Sequence, residues 1–148
     1  MLRIKNCRDN QRGSTLVEFS IAATIFIIAM FAVVEFGRAL WVHNALTDAA
    51  RRGARYATMH TQASSAEVKN VVVYGNPEGS GQAMLNNLST GIVNVDYNNF
   101  GLNDGTVSVS ITDYEFQFVI PIFGASITMP SYKTTLTAES AGLIPASI

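Results

Sequence analysis

Gly13, Ser14 and Glu18 stand where a short basic leader meets a long apolar run, and their spacing suits two kinds of chemistry. The first is peptide hydrolysis. A glycine at the cytoplasmic edge of a membrane segment offers a protease a bond with no side chain in the way. The second is charge pairing. If the chain is cut after Gly13, Ser14 becomes the amino terminus and Glu18 becomes the fifth residue. One helical turn then separates a positive α-amine from a carboxylate that also lies near the positive end of the helix dipole. In an assembled bundle Glu18 could pair instead with a neighbour's amine. The plainer alternative is a hydrated carboxylate at the membrane surface.

The flanks give this junction its meaning. Upstream, Arg3, Lys5, Arg8 and Arg12 face a lone Asp9, a net charge of +3. Downstream, Leu16 to Val34 carries no charge except Glu18 and has neither proline nor glycine. As a helix this run covers about 30 Å, enough for the hydrocarbon of a bilayer. A carboxylate there costs roughly 2.5 to 3.5 kcal/mol, so Glu18 calls for a reason. The basic excess predicts a cytoplasmic N-terminus and an exported C-terminus. An ordinary secretory signal places its cleavage site after the apolar stretch. Here the candidate glycine comes before it, so cleavage leaves the membrane helix attached.

Other reactive residues point to plainer roles. His43 and His60 lie on or near a helix with no third metal ligand at usable spacing, and read as packing or interfacial residues. Asp113 and Glu115 would share one strand face as a possible acid pair, with exposed solvent-facing carboxylates as the simpler account. Asp96, Asn98, Asn99, Asn103 and Asp104 supply oxygen ligands for calcium without an EF-hand pattern, and turns use the same residues. Arg51, Arg52 and Arg55 read as a solvated face in which Asp48 reaches Arg51 and Arg52. Glu35 and Arg38 read as an interfacial pair where the helix leaves the membrane. Cys7 in the leader is the only cysteine, so the exported part has no disulfide. No catalytic residue, cofactor or metal is expected.

These residues need a long helix and a small domain to hold them. No proline precedes Pro77, and Phe36, Leu40, His43, Leu46 and Ala50 recur at helical steps opposite Asn44, Asp48, Arg51 and Arg55. One helix from Ser14 to Met59 is predicted, with about residues 16 to 35 in the membrane. On its outer half Ala45, Ala49, Gly53 and Ala57 form a small-residue stripe, which lets another backbone approach closely. Packing on the protein's own sheet is favoured over an intermolecular contact. Gly53 inside a helix costs about 1 kcal/mol relative to Ala, so a steric need is expected there.

Residues 60 to 91 stay open. Ser64 to Glu67 offers a capping box that would start a helix, whereas Val71 to Tyr74 prefers a strand. Gly75 to Gly81 is loop. Further on, Val93, Val95 and Tyr97 alternate with polar residues, as do Val107, Val109 and Ile111. The apolar phase then moves to Tyr114, Phe116, Phe118 and Ile120, which a bulge near Asp113 would explain. Pro121 and Pro130 bracket a short segment, and Tyr132 to Ala138 can form a last strand. The expected class is α+β, with an antiparallel sheet in residues 60 to 148 packed on the outer half of the long helix in a pilin-like manner.

The arrangement around Gly13 resembles the class III signal of type IV pilins. The resemblance narrows over Arg-Gly-Ser-Thr-Leu-Val-Glu-Phe at 12 to 19, Val-Val-Glu-Phe-Gly-Arg at 33 to 38 and Ala-Ala-Arg-Arg-Gly-Ala-Arg-Tyr-Ala at 49 to 57. These segments look like the TadE-like family, pseudopilins of the tight-adherence (Flp-type) pilus system. The likeness covers about the first 60 residues. It implies a prepilin peptidase cutting on the cytoplasmic face, with other pilus subunits and tight-adherence components as partners. It also implies a bacterial inner-membrane location with one pass, and entry into a surface pilus as one possible fate. Homo- or hetero-oligomers would form through the N-terminal helix. Ser14 stands where many type IV pilins carry Phe, Met or Leu, so N-terminal methylation is not carried over.

Composition agrees with that reading. Beyond residue 13 the chain holds 6 Lys and Arg against 10 Asp and Glu, and residues 60 to 148 hold only Lys69 and Lys133 as cations. An acidic exported domain is a poor partner for nucleic acid. The reading is thus a membrane-anchored minor pseudopilin, a structural protein rather than an enzyme. Its rivals are an uncleaved single-pass protein with an exported binding domain and, more remotely, a membrane-tethered hydrolase.

Overall fold

A computed structural model describes residues 9–60, 64–99, 105–120 and 124–137 of the chain. With no proline to interrupt it, the first element is one continuous helix, α1, Asp9–Met59. Among the described residues it already runs from Asp9, ahead of the expected Ser14, because Gly13 alone weakens a helix by only about 1 kcal/mol and does not stop it. The chain divides into two compact units, the first ending at Arg38 and the second beginning at Ala39.

In the first unit the apolar side chains of α1 face outward, with Phe19 at 70% exposure and Leu16, Ile25 and Phe26 similar. This helix is long and apolar enough to cross a membrane. Its hydroxyls are satisfied locally: Ser20 Oγ donates to the Leu16 carbonyl and Thr24 Oγ1 to the Ser20 carbonyl, both at 2.8 Å. Such back-bonding lets Ser and Thr sit in an apolar segment without an orphaned polar atom.

In the second unit α1 changes character. Val42, Leu46, Ala49, Ala50, Ala54 and Ala57 are buried, and Leu46 is fully so. Asn44, Asp48, Arg51 and Arg55 are exposed. The buried stripe starts at Val42. Phe36 and Leu40, expected to continue it, are exposed, and so is His43. Leu46 and Ala50 are shared by the expected and observed faces, but the fully buried part of α1 starts at Val42, with half-buried Ala39 packed against the core before it.

Residues 65 to 74 settle as a helix, α2, Ser65–Tyr74. The β-branched run Val71 to Val73 stays helical because Val68, Val71 and Val72 recur at i, i+3 and i+4, and all are buried. Tertiary burial outweighs local strand preference here. The expected capping box does not form: Ser64 makes no side-chain cap bond, and Glu67 instead accepts a hydrogen bond of 2.9 Å from Tyr56 Oη. Gly75, at φ +79°, ends α2 and donates its N–H to the Val71 carbonyl. Only a residue without Cβ takes that left-handed position at no cost. The loop then returns to the core. Met84 N–H donates to the Val73 carbonyl, Leu85 and Leu88 are buried, and Tyr114 Oη donates to the Asn86 carbonyl at 2.7 Å.

A 3₁₀ turn at Thr90–Ile92 leads into β1, Val93–Asn98. This strand pairs antiparallel with β2, Thr106–Ile111, which pairs antiparallel with β5, Tyr132–Thr137. The sheet order is β1-β2-β5. Val95, Val109 and Thr134 lie abreast, as do Val93, Ile111 and Tyr132, so one face carries the apolar residues into the core with α1 and α2. The other face carries Asp96, Ser108 and Thr135, and the last two are joined at 2.7 Å. The last strand was expected to reach Ala138, which lies outside the described residues.

The change of apolar phase after Ile111 is not a bulge within one strand. Asp113 takes φ +57° and the chain leaves the first sheet. It enters a second, two-stranded antiparallel sheet of β3, Glu115–Gln117, and β4, Ser126–Thr128. Tyr114 and Phe116 are thereby buried while Asp113 and Glu115 are exposed. The architecture is α+β: a long N-terminal apolar helix followed by a small antiparallel-sheet domain.

Candidate processing and assembly segment

Gly13, Ser14 and Glu18 sit on one uninterrupted, exposed stretch of α1. Ser14 Oγ lies 3.4 Å from Glu18 Oε1, a long hydrogen bond that places the two residues on one face. A Cβ added at Gly13 would meet nothing within 4 Å, and the same holds at Gly37. No packing among the described residues demands a glycine at position 13, although it weakens the helix.

Gly53 is the opposite case. A Cβ there would overlap the Cγ2 of buried Val72 and lie 3.4 Å from Val109 Cγ1. Val72 and Val68 of α2 and Val109 of β2 all crowd this position. Of the other small residues, Ala49 and Ala57 are buried and Ala45 is half-buried. The stripe faces the protein's own interior along most of its length.

The remaining candidates separate. Glu35, at 4% exposure, accepts from Arg38 Nη1 at 2.7 Å, a close pair that neutralises both charges. Arg51 lies 3.9 Å from Asp48 in the open, and Arg55 is exposed. Arg52 does not join that solvated face. Its Nε donates to the Val71 carbonyl at 3.3 Å and its Nη2 lies 2.9 Å from Met84 Sδ, so it braces α2 and the following loop against α1. His43 Nδ1 is 2.9 Å from Tyr132 Oη, which ties α1 to β5. Burial, and then the nearby Tyr114, hold the Tyr132 hydroxyl above the ordinary tyrosine value. His60 stacks on Tyr56.

Asp113 stands in a turn outside any strand, so it does not share a strand face with Glu115. Asp96 and Asn98 are exposed on β1, and Asn99 takes the left-handed φ of +49° that turns favour. Asn103 and Asp104 lie outside the described residues, as does Cys7. Among the described residues no three His, Cys, Asp or Glu side chains converge as a metal site.

The segment with the open glycine is also the one that comparison with known proteins picks out. Residues 13–55 match the TadE-like protein family. The TadE-like segment starts at Gly13 and stays within α1, covering under a third of the chain. It ties the helix to tight-adherence pilus systems. No curated protein and no solved structure shows significant similarity to the chain.

One residue gains weight only from the structure. Trp41, within the TadE-like segment, is 61% exposed although its neighbour Val42 is buried. Its signal in the sequence is its rarity, since it is the only tryptophan and follows soon after the apolar run.

Proposed function

We propose that this protein is a minor pseudopilin, a structural subunit in the assembly of a tight-adherence pilus. The chain inserts with a cytoplasmic N-terminus, a prepilin peptidase cuts between Gly13 and Ser14, and residues 60–148 are carried outside on the helix. Apolar helices of neighbouring subunits then pack side by side, with Glu18 neutralising the Ser14 amine. One observation supports this reading above the others: the TadE-like match begins at an exposed glycine that heads an outward-facing apolar helix. The shared face of Ser14 and Glu18 supports the pairing step.

N-terminal sequencing of the protein from cells with their own pilus machinery tests the reading, and the mature chain is expected to begin at Ser14. A mature chain beginning at Met1 favours the uncleaved single-pass alternative. Glu18→Gln keeps the shape and removes the charge. It is expected to leave membrane level and cleavage normal while abolishing co-purification with other pilus subunits, because breaking a buried ion pair costs about 3–5 kcal/mol. Normal co-purification would remove the assembly role from Glu18.

A further inference from the structure

We infer that Leu40 and Trp41 anchor α1 in the phospholipid headgroup layer on the exported side, so the lipid contact extends past the end of the apolar run. The inference rests on the membrane-spanning reading and goes beyond it by fixing the depth of the helix.

Leu40 is 48% exposed and Trp41 61% exposed, and Phe36 before them is also uncovered. Water is a poor environment for these side chains, and although their neighbours Ala39 and Val42 pack on the domain's core, Leu40 and Trp41 stay outside it. Distance along the helix supplies the occupant. With Leu16 at the inner edge of the hydrocarbon, about 20 residues bring α1 to the outer edge near Glu35. Six more residues to Trp41 add roughly 9 Å. The headgroup layer beyond each edge is about 5–7 Å thick. Helical side chains lean toward the N-terminus, here toward the membrane, and tilt of the helix shortens the rise further. The indole ring therefore falls at headgroup depth.

Charge fits the same placement. Glu35 and Arg38 cancel each other at 2.7 Å, so no net charge holds the helix away from the lipid. Residues 39–47 contain no Asp, Glu, Lys or Arg, and the next fixed charge is the exposed Asp48. Tryptophan combines an apolar ring with one N–H donor, which suits it to a layer that is apolar below and wet above.

Because Trp41 is the only tryptophan, its fluorescence reports this position without mutation. The full chain is reconstituted in phosphatidylcholine vesicles and its emission measured. The expected result is a blue-shifted spectrum. Lipid brominated near the glycerol end should quench most of it, while lipid brominated at the chain ends and aqueous iodide should quench little. Red-shifted emission fully open to iodide would overturn the inference. So would emission shielded from iodide and from both brominated lipids, which would place protein over Trp41. Alkaline carbonate extraction of the same vesicles separates the two failures. A chain that stays with the lipid while Trp41 reports water loses only the anchor, whereas a chain that is extracted loses the spanning reading as well.

Discussion

Two stretches of α1 treat the same residue types in opposite ways. From Gly13 to Arg38 the large apolar side chains point outward and the glycines have no neighbour among the described residues, whereas from Ala39 to Met59 small residues are pressed into a core and Gly53 is required by the valine above it. The difference shows that apolar content alone does not define a hydrophobic core. In the first stretch, bulk around the whole helix suits a surrounding of lipid or other helices. In the second, an apolar stripe beside a charged face suits one packed side and one wet side. Glycine follows the same rule: it marks close approach where something is near, and accessibility where nothing is.

The strongest test of this contrast is to separate the stretches. A fragment from Phe36 to Ile148 is expected to lose membrane partitioning entirely and yet fold, because its core residues all lie from Val42 onward. Calorimetry should show cooperative melting, and an unfolded product would break the comparison. Next, Leu46→Ala in that fragment should cost about 2–5 kcal/mol in denaturant unfolding, since the side chain is fully buried. Phe19→Ala in the full chain should leave the melting of the sheet domain unchanged.

The two glycines sharpen the contrast at smaller scale. Gly53→Ala gains about 1 kcal/mol of helix propensity. It also drives a methyl into buried Val72, and over-packing of that kind costs about 1–3 kcal/mol. A net loss of stability is expected, and a gain would show that Val72 yields freely. Gly13→Ala meets nothing and should leave the fold intact, so its effect is expected in processing alone, seen as uncut protein on a gel.

The smallest expected effect is alkaline. Burial raises the hydroxyls of both Tyr97 and Tyr132 above the ordinary value of 10.0. The folded state therefore keeps protons that the unfolded state gives up. Stability contributed this way is fully present below about pH 10 and falls as pH rises above it. The melting temperature of the Phe36 to Ile148 fragment should drop in that range, and Tyr132→Phe should lessen the drop. An unchanged drop in the variant would clear Tyr132 of the effect.

Much of the sheet domain's fold was legible because strand periodicity is a local property. Val93, Val95, Val107, Val109 and Ile111 alternate with polar residues, and each lies on the sheet face that carries the core. The conformation of residues 65–74 was not legible, because a valine run satisfies a strand or a buried helix equally until its partner is known. Asp113 was misread for a related reason. A phase shift looks the same in sequence whether it comes from a bulge or from a left-handed turn into a second sheet.

The long apolar helix and the Gly13–Ser14–Glu18 junction were fixed by sequence alone, since covalent spacing and helical rise suffice to place charge, glycine and apolar length along one axis. Tertiary structure decided which side chains are covered. It set the start of the buried stripe at Val42, turned Arg52 to α2 and left Trp41 bare, because burial depends on neighbours brought in from distant parts of the chain.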